Sequence, residues 1–133
     1  MILVDTNVLL DLVVEDPKWA TWSQEQLESA SLRDRLKINP IIYAELSMAF
    51  SRIEEVEAIL FEASVAVEPI PREALFLAGK VFISYRKRSG IKQGVLPYFF
   101  IGAHAAVTSS SVLTRDVGRY RTYFPSVPLI APE

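Results

Sequence analysis

Residues 2–12 read ILVDTNVLLDL, and this stretch decides the fold. Its first four residues form a short apolar run that ends in a carboxylate, Asp5, and such a run is typical of a strand buried on both faces of a sheet. Thr6 or Asn7 can cap the helix that the following apolar residues predict. A buried strand followed directly by a helix indicates a β-α-β unit and therefore a parallel sheet.

The alternation of strands and helices continues along the chain. Apolar residues at helical spacing predict helices over residues 7–15, 17–31, 40–50, 53–63, 72–88 and 97–108. Short apolar runs predict strands over 36–39, 65–70 and 111–114 and an edge strand over 127–132, with a compact turn at Gly118. This order predicts a three-layer α/β/α, Rossmann-like fold with a central parallel sheet of four to five strands. The 133 residues contain no internal repeat or low-complexity linker, which predicts a single domain over residues 1–133.

The composition excludes several classes of protein. Half of the residues are apolar, which is enough for a sizeable core, and the absence of cysteine excludes disulfides and thiolate metal sites. The first residues, MILVDTNVLL, lack a basic region and include Asp5, so they make a poor signal peptide. No stretch reaches the roughly 18 apolar residues that a membrane span needs. We interpret the chain as a soluble, cytoplasmic protein with no membrane contact.

The charge is distributed unevenly around a formal net charge of −2. The segment from Lys80 to Arg121 contains eight basic residues and one acid, a net charge of +7, and the rest of the chain carries −9. A local basic region can bind a polyanion even when the whole protein is mildly acidic. The alternative is that residues 86–88 are simply the solvated end of a helix. The basic residues are Lys80, Arg86, Lys87, Arg88, Lys92, Arg115, Arg119 and Arg121.

Two carboxylates follow predicted strands, at the edge of the sheet where sites lie in parallel α/β proteins. These are Asp5 and Asp116. Glu45 is a third candidate, because helical spacing places it on a face with Ile41, Met48 and Ala49 that we expect to be buried. A carboxylate on such a face is costly unless it is paired, protonated or bound to a metal. We predict that the other acids nearby are surface or turn residues, namely Asp11, Glu15, Asp16 and Glu68.

Together, the three acids indicate Mg²⁺ or Mn²⁺, which prefer oxygen ligands and can activate water for attack on a phosphodiester. The bland alternative is that the two aspartates are caps or turn formers and that Glu45 pairs with an arginine. His104 is the only histidine, and we predict that it is a packed helix residue. The motifs of a nucleophile elbow, a P-loop and a dinucleotide-binding loop are absent from the sequence. A phosphatase and a metal-binding regulator stay open as other classes.

Five stretches, in order, closely resemble the PIN-domain family, and most of all the VapC-like toxins of bacterial toxin–antitoxin pairs. They are MILVDTNVLLDL, INPIIYAEL, GVLPYFFIGAHAAV, VLTRDVGRYRTYFP and PLIAP. The resemblance covers nearly the whole chain. It implies a PIN-like α/β/α fold and a Mg²⁺- or Mn²⁺-dependent endoribonuclease. It also implies a cognate VapB-like antitoxin that occupies the active-site groove, and commonly a homodimer.

The family's acidic positions fall on residues already selected. The first acid falls on Asp5, supported by Thr6 and Asn7. The second falls on Glu45, and the last falls on Asp116, with Thr114 as a nearby polar residue. A further acid normally stands in the pattern L-P-D-F-F-I-G-A-H-A, and here the pattern reads LPYFFIGAHA. Tyr98 therefore stands where the family has a principal metal ligand.

Tyr98 weakens the expectation of catalysis. A neutral phenol, whose pKa is ordinarily about 10, is a poor ligand for Mg²⁺. We therefore expect RNA cleavage to be reduced or abolished, and three explanations stay open. The chain is an inactive variant of a toxic nuclease, or a natural non-catalytic PIN domain that binds RNA or an antitoxin, or a weak enzyme in which Asp5, Glu45 and Asp116 hold one metal ion.

The resemblance to a ribonuclease gives the basic residues a candidate role in binding RNA phosphates. Such contacts would make RNA binding strongly dependent on salt. The alternative role for the same residues is solubility or packing against acidic residues of an antitoxin. The candidates are Arg86, Lys87, Arg88, Lys92, Arg115 and Arg119.

Overall fold

Five parallel strands form the centre of the protein in a computed structural model that describes residues 1–89 and 96–133. The strands stand in the order β3-β2-β1-β4-β5. The elements in chain order are β1 (Ile2–Val4), α1 (Thr6–Val13), α2 (Ala20–Ser31), β2 (Leu36–Ile38), α3 (Pro40–Ser47), α4 (Ile53–Glu62), β3 (Val65–Val67), α5 (Arg72–Ser89), α6 (Leu96–Thr108), β4 (Ser111–Leu113), α7 (Gly118–Tyr123) and β5 (Leu129–Ile130). This confirms the predicted α/β fold with a parallel sheet of five strands flanked by helices.

The buried strand β1 lies in the middle of the sheet. Ile2 is in register with Leu36 of β2 on one side and with Ser111 of β4 on the other. The chain builds the sheet outward through β2 and β3 and then returns to the opposite side of β1 for β4 and β5. The order of strands therefore reverses between β1 and β4, and the carboxyl ends of these two strands form the crevice where α/β proteins bind ligands.

The middle of helix α6 is buried in the core of the domain. The buried residues of its middle are Phe99, Ile101, Gly102, Ala103, His104 and Ala105. The His104 imidazole is fully buried, and its Nδ1 lies 3.3 Å from Nδ2 of Asn39. The carboxamide oxygen of Asn39 accepts the Ile42 N–H at 3.0 Å and so caps α3. Burial lowers the pKa of His104, so the ring is a neutral packing residue, as the sequence predicted.

Replacing Gly102 with alanine is expected to lower the free energy of unfolding by about 1–3 kcal/mol, because overpacking a rigid core has this cost. A Cβ atom at position 102 would collide with the buried ring of Phe124. The higher helix propensity of alanine, worth up to about 1 kcal/mol, cannot offset the collision. Urea unfolding measures the loss, with Gly79→Ala on α5 as a control, because nothing lies within 4 Å of a Cβ added there. A Gly102 variant as stable as the Gly79 variant would contradict the packing.

Among the local predictions, those for helices α2, α3 and α7 were wrong. Helix α2 begins at Ala20 and not at Pro17, because Oδ1 of Asp16 accepts the N–H groups of Lys18 and Trp19 and holds a turn there. Helix α3 ends at Ser47 and not at residue 50. The predicted turn at Gly118 is the short helix α7, which turns Tyr120 into the core. Within the described ranges, no helix is both long enough and apolar enough to cross a membrane.

Candidate acidic site

Asp5 caps α1 directly at the end of β1, and its carboxylate is buried and surrounded by donors. The Oδ1 atom accepts the backbone N–H of Thr6 at 2.8 Å. The Oδ2 atom accepts hydrogen bonds from the hydroxyls of Thr114 at 2.8 Å and Tyr120 at 2.9 Å and from the Asn7 amide at 3.3 Å. Burial raises the pKa of Asp5 to about 6, although these hydrogen bonds favour the ionised form. The carboxylate of Asp5 is therefore held in place, and its Oδ2 atom already accepts three hydrogen bonds from the protein.

Glu45 reaches the same place from α3. Its Oε1 atom accepts a hydrogen bond of 2.8 Å from the hydroxyl of Thr6. Thr6 therefore links Glu45 to Asp5 through its side chain and its backbone. Both acids line one pocket of about 180 Å³, whose walls are Asp5, Thr6, Asn7, Leu10, Glu45, Pro97, Tyr98 and Ile101.

The prediction that Glu45 lies on a buried face was wrong. Glu45 is half-buried, and Met48, which we expected to share its buried face, is 81% exposed. The reason is that α3 ends at Ser47, so the helical periodicity does not extend to Met48 and Ala49. The carboxylate of Glu45 therefore faces the pocket without being enclosed by the core.

Asp116 follows β4 but turns toward Tyr98. The Tyr98 hydroxyl donates a hydrogen bond of 2.7 Å to Oδ2 of Asp116. Burial and this hydrogen bond hold the pKa of Tyr98 well above that of a free phenol, so it is a neutral donor. The Thr114 hydroxyl, which donates to Asp5, also accepts the Asp116 N–H at 3.0 Å and so connects the two acidic positions.

The comparisons with known proteins identify the family. A family model described as PIN domain matches residues 2–125. The chain belongs to the PIN-domain family. A comparison with curated proteins found no match.

Solved structures of low sequence identity share the fold of this PIN domain. VapBC2 from Rickettsia felis, bound to a DNA fragment from its promoter, is 17% identical and matches over 100% of both chains with a TM-score of 0.75. FitAcB from Neisseria gonorrhoeae is 22% identical over 98% of this chain and 96% of that chain, with a TM-score of 0.67. VapBC-1 from nontypeable Haemophilus influenzae is 22% identical over 98% of each chain, with a TM-score of 0.68.

The acids of this PIN domain do not fit the divalent cation that the resemblance implied. Asp5 and Glu45 line a common pocket, but Asp116 bonds to Tyr98 and is not part of its walls. In residues 1–89 and 96–133, no three acidic or histidine side chains lie close enough together to hold a metal ion. Mg²⁺ needs near-octahedral oxygen ligands, and a neutral phenol cannot replace a carboxylate among them. The side chains can hold a polar group at the pocket, but they form no complete metal cage.

Asp11 was wrongly predicted to be a surface or turn residue. It is only 1% exposed, and its two carboxylate oxygens accept hydrogen bonds of 2.9 and 2.8 Å from the Arg115 guanidinium. The Ser23 hydroxyl donates a third hydrogen bond of 2.7 Å. The signal was present in the sequence, because Asp11 stands three residues after the buried Val8 and so shares its helical face.

This ion pair makes Arg115 a positioning residue for the site. Its guanidinium also stacks over the ring of Trp19, 5.4 Å from the ring centre. Its backbone N–H donates to the Asn7 side chain at 3.3 Å. Arg115 therefore ties the segment that carries Asp116 to α1 and to the turn before α2.

The other basic candidates lie at two places. Arg86, Lys87 and Arg88 are exposed in the last turn of α5, directly after Tyr85, whose ring contacts the Phe99 ring of α6 at 5.4 Å. Arg119 lies against Asp116, whose Oδ2 atom is 3.7 Å from its Nη1 atom. Arg121 is exposed on α7, and Lys92 lies outside the described residues. The contact of Tyr85 with Phe99 thus joins the end of α5 to α6, the helix that carries Tyr98.

Proposed function

We propose that this PIN domain is the toxin-type member of a toxin–antitoxin pair and that Tyr98 reduces or abolishes its Mg²⁺- or Mn²⁺-dependent endoribonuclease activity. The observation that carries the proposal is the hydrogen bond of 2.7 Å from Tyr98, at the position of a family metal ligand, to Asp116. Asp5 and Glu45 still face the pocket together, so the remnant of the acid site is recognisable. The loss of one carboxylate removes both a ligand and a negative charge from the site.

The proposed partner is a VapB-like antitoxin. Support comes from structural neighbours described as VapBC and FitAB assemblies and as a toxin–antitoxin complex from Klebsiella pneumoniae. The resemblance to VapC-like toxins adds a homodimer to the proposal, and the cysteine-free composition adds a cytoplasmic location. RNA phosphates would contact the exposed cluster of Arg86, Lys87 and Arg88, which carries three positive charges in the last turn of α5.

The hydrogen-bonded state of the acids favours a second candidate, a non-catalytic PIN domain that binds RNA or the antitoxin. In this state, every acid of the site already has a partner within the protein. Binding through exposed basic residues needs no metal and no free carboxylate. A metal-dependent phosphatase is less well supported, because it would need the same incomplete set of carboxylates.

The experiment compares RNA cleavage by the chain, Tyr98→Asp and Tyr98→Asn in Mg²⁺ or Mn²⁺. Asparagine has nearly the size of aspartate without its charge, so it is the matched control. We expect the aspartate variant alone to cleave RNA efficiently. Equal cleavage by all three proteins would refute the proposal that Tyr98 disables the nuclease. RNA binding without cleavage by any of them would favour the non-catalytic PIN domain that binds RNA. Hydrolysis of p-nitrophenyl phosphate would instead indicate a phosphatase.

A further inference from the structure

One carboxylate oxygen of Asp116 contacts two side chains. Its Oδ2 atom accepts the Tyr98 hydroxyl at 2.7 Å and lies 3.7 Å from Nη1 of Arg119. The guanidinium of Arg119 also lies over the Tyr98 ring, 4.8 Å from its centre. The three side chains of this Asp116 cluster (Tyr98, Asp116 and Arg119) therefore contact one another pairwise, through a hydrogen bond, an ion pair and a cation–π contact.

The cluster is continuous with the buried acid Asp5 through a second phenol. The rings of Tyr98 and Tyr120 meet edge to face at 5.5 Å, and the Tyr120 hydroxyl donates to Oδ2 of Asp5 at 2.9 Å. Each of the two aspartates thus accepts a hydrogen bond from a tyrosine hydroxyl through one carboxylate oxygen. A cation shared by the two carboxylates would have to compete with both of these hydrogen bonds.

We propose that Tyr98 and Arg119 close the acidic site from within, so that the native chain takes up no divalent cation there and is fully folded without one. The inference deepens the proposed function and rests on it, because it explains the loss of activity by an occupied site and not only by a missing ligand. The phenol donates a hydrogen bond to Asp116 without carrying charge, and the guanidinium supplies a permanent positive charge that repels an incoming cation. A metal ion that binds Oδ2 of Asp116 would have to displace both the Tyr98 hydroxyl and the Arg119 guanidinium.

The proposal predicts a metal response that differs between variants and needs no activity assay. In millimolar Mn²⁺ the melting temperature Tm of the native chain is expected to stay unchanged. The Tm of Tyr98→Asp should rise by about 5 °C or more and return when the metal is chelated, because a ligand that binds only the folded state stabilises it. Tyr98→Asn removes the phenol without adding charge, and we expect it to show at most a small part of that rise.

Arg119 has its own test in the Tyr98→Asp background. Removing its charge with Arg119→Gln should tighten Mn²⁺ binding about fivefold, the effect of removing a partly exposed ion pair that competes with the metal. Isothermal titration calorimetry with Mn²⁺ measures both dissociation constants. Unchanged or weaker binding in the double variant would overturn the role of Arg119.

Two results would overturn the proposal as a whole. One is saturable Mn²⁺ binding by the native chain, and the other is a folded Tyr98→Asp variant that gains no affinity for Mn²⁺. If the Tyr98→Asp variant does not fold, the Mn²⁺ titration of the native chain alone tests the proposal. Native protein that binds Mn²⁺ but does not cleave RNA would refute the closed site and leave the proposed loss of activity standing. Native protein that cleaves RNA with Mn²⁺ would refute both.

Discussion

Replacing Arg115 with alanine is expected to lower the free energy of unfolding by about 3–5 kcal/mol, the usual cost of leaving one member of a buried ion pair without its partner. Asp11 is only 1% exposed, and after the substitution the Ser23 hydroxyl would be the remaining hydrogen-bond donor to its carboxylate among residues 1–89 and 96–133. The loss of stacking on Trp19 adds to the cost. This is a large effect for a residue whose side chain is 30% exposed.

Urea unfolding followed by circular dichroism measures this loss. Arg121→Ala is the matched control, because Arg121 is exposed in the same basic segment and its removal should change stability by less than about 0.5 kcal/mol. Combining Asp11→Leu with Arg115→Met should recover much of the loss, because replacing both members leaves no buried charge. A cost below about 1 kcal/mol for Arg115→Ala would show that the pair does not carry this part of the fold.

Asp5 is expected to make the chain less stable at neutral pH than in mild acid. Burial raises the pKa of Asp5 from 3.8 to about 6, so the folded state binds its proton more tightly than the unfolded state does. The contribution of this proton is greatest below the unfolded pKa and is lost as the pH rises through 6. Between about pH 4 and pH 7 the loss is roughly 2–3 kcal/mol.

Other acids titrate in the same range, so the Asp5 contribution is obtained as a difference. The free energy of unfolding is measured at several pH values for the native chain and for Asp5→Asn, which cannot ionise. We expect the difference between the two proteins to change by roughly 2–3 kcal/mol over this interval, with the native chain losing more on the way to pH 7. Parallel profiles would mean that Asp5 titrates with an ordinary pKa.

Most of the fold could be predicted from short apolar runs alternating with amphipathic segments. The run before Asp5 is apolar because β1 is covered on both faces, and this is what places it in the middle of the sheet. Asp5 and Thr114 come together because the carboxyl ends of neighbouring parallel strands share one edge. The meeting of residues next to strand ends could therefore be predicted from the sequence.

The rest depends on contacts between distant side chains, which local patterns do not specify. The hydrogen bond from Tyr98 joins residues 18 positions apart, and the pair of Asp11 with Arg115 spans 104 positions. The exposure of Met48 depends on where α3 ends. The sequence around that point contains no glycine or proline that would indicate the end of a helix. Sequence could identify Tyr98 as a departure from the family pattern, but not the partner that its hydroxyl would find.

The most direct test of the account is the ratio of Mn²⁺-dependent RNA cleavage rates of Tyr98→Asp and the native chain, measured under identical conditions. Because an incomplete catalytic geometry costs on the order of 100-fold or more in rate, we predict that the aspartate variant is faster by at least about that factor. The Tyr98→Asn control should remain as slow as the native chain. Native and aspartate proteins that cleave RNA at the same rate would contradict the claim that Tyr98 disables this PIN domain.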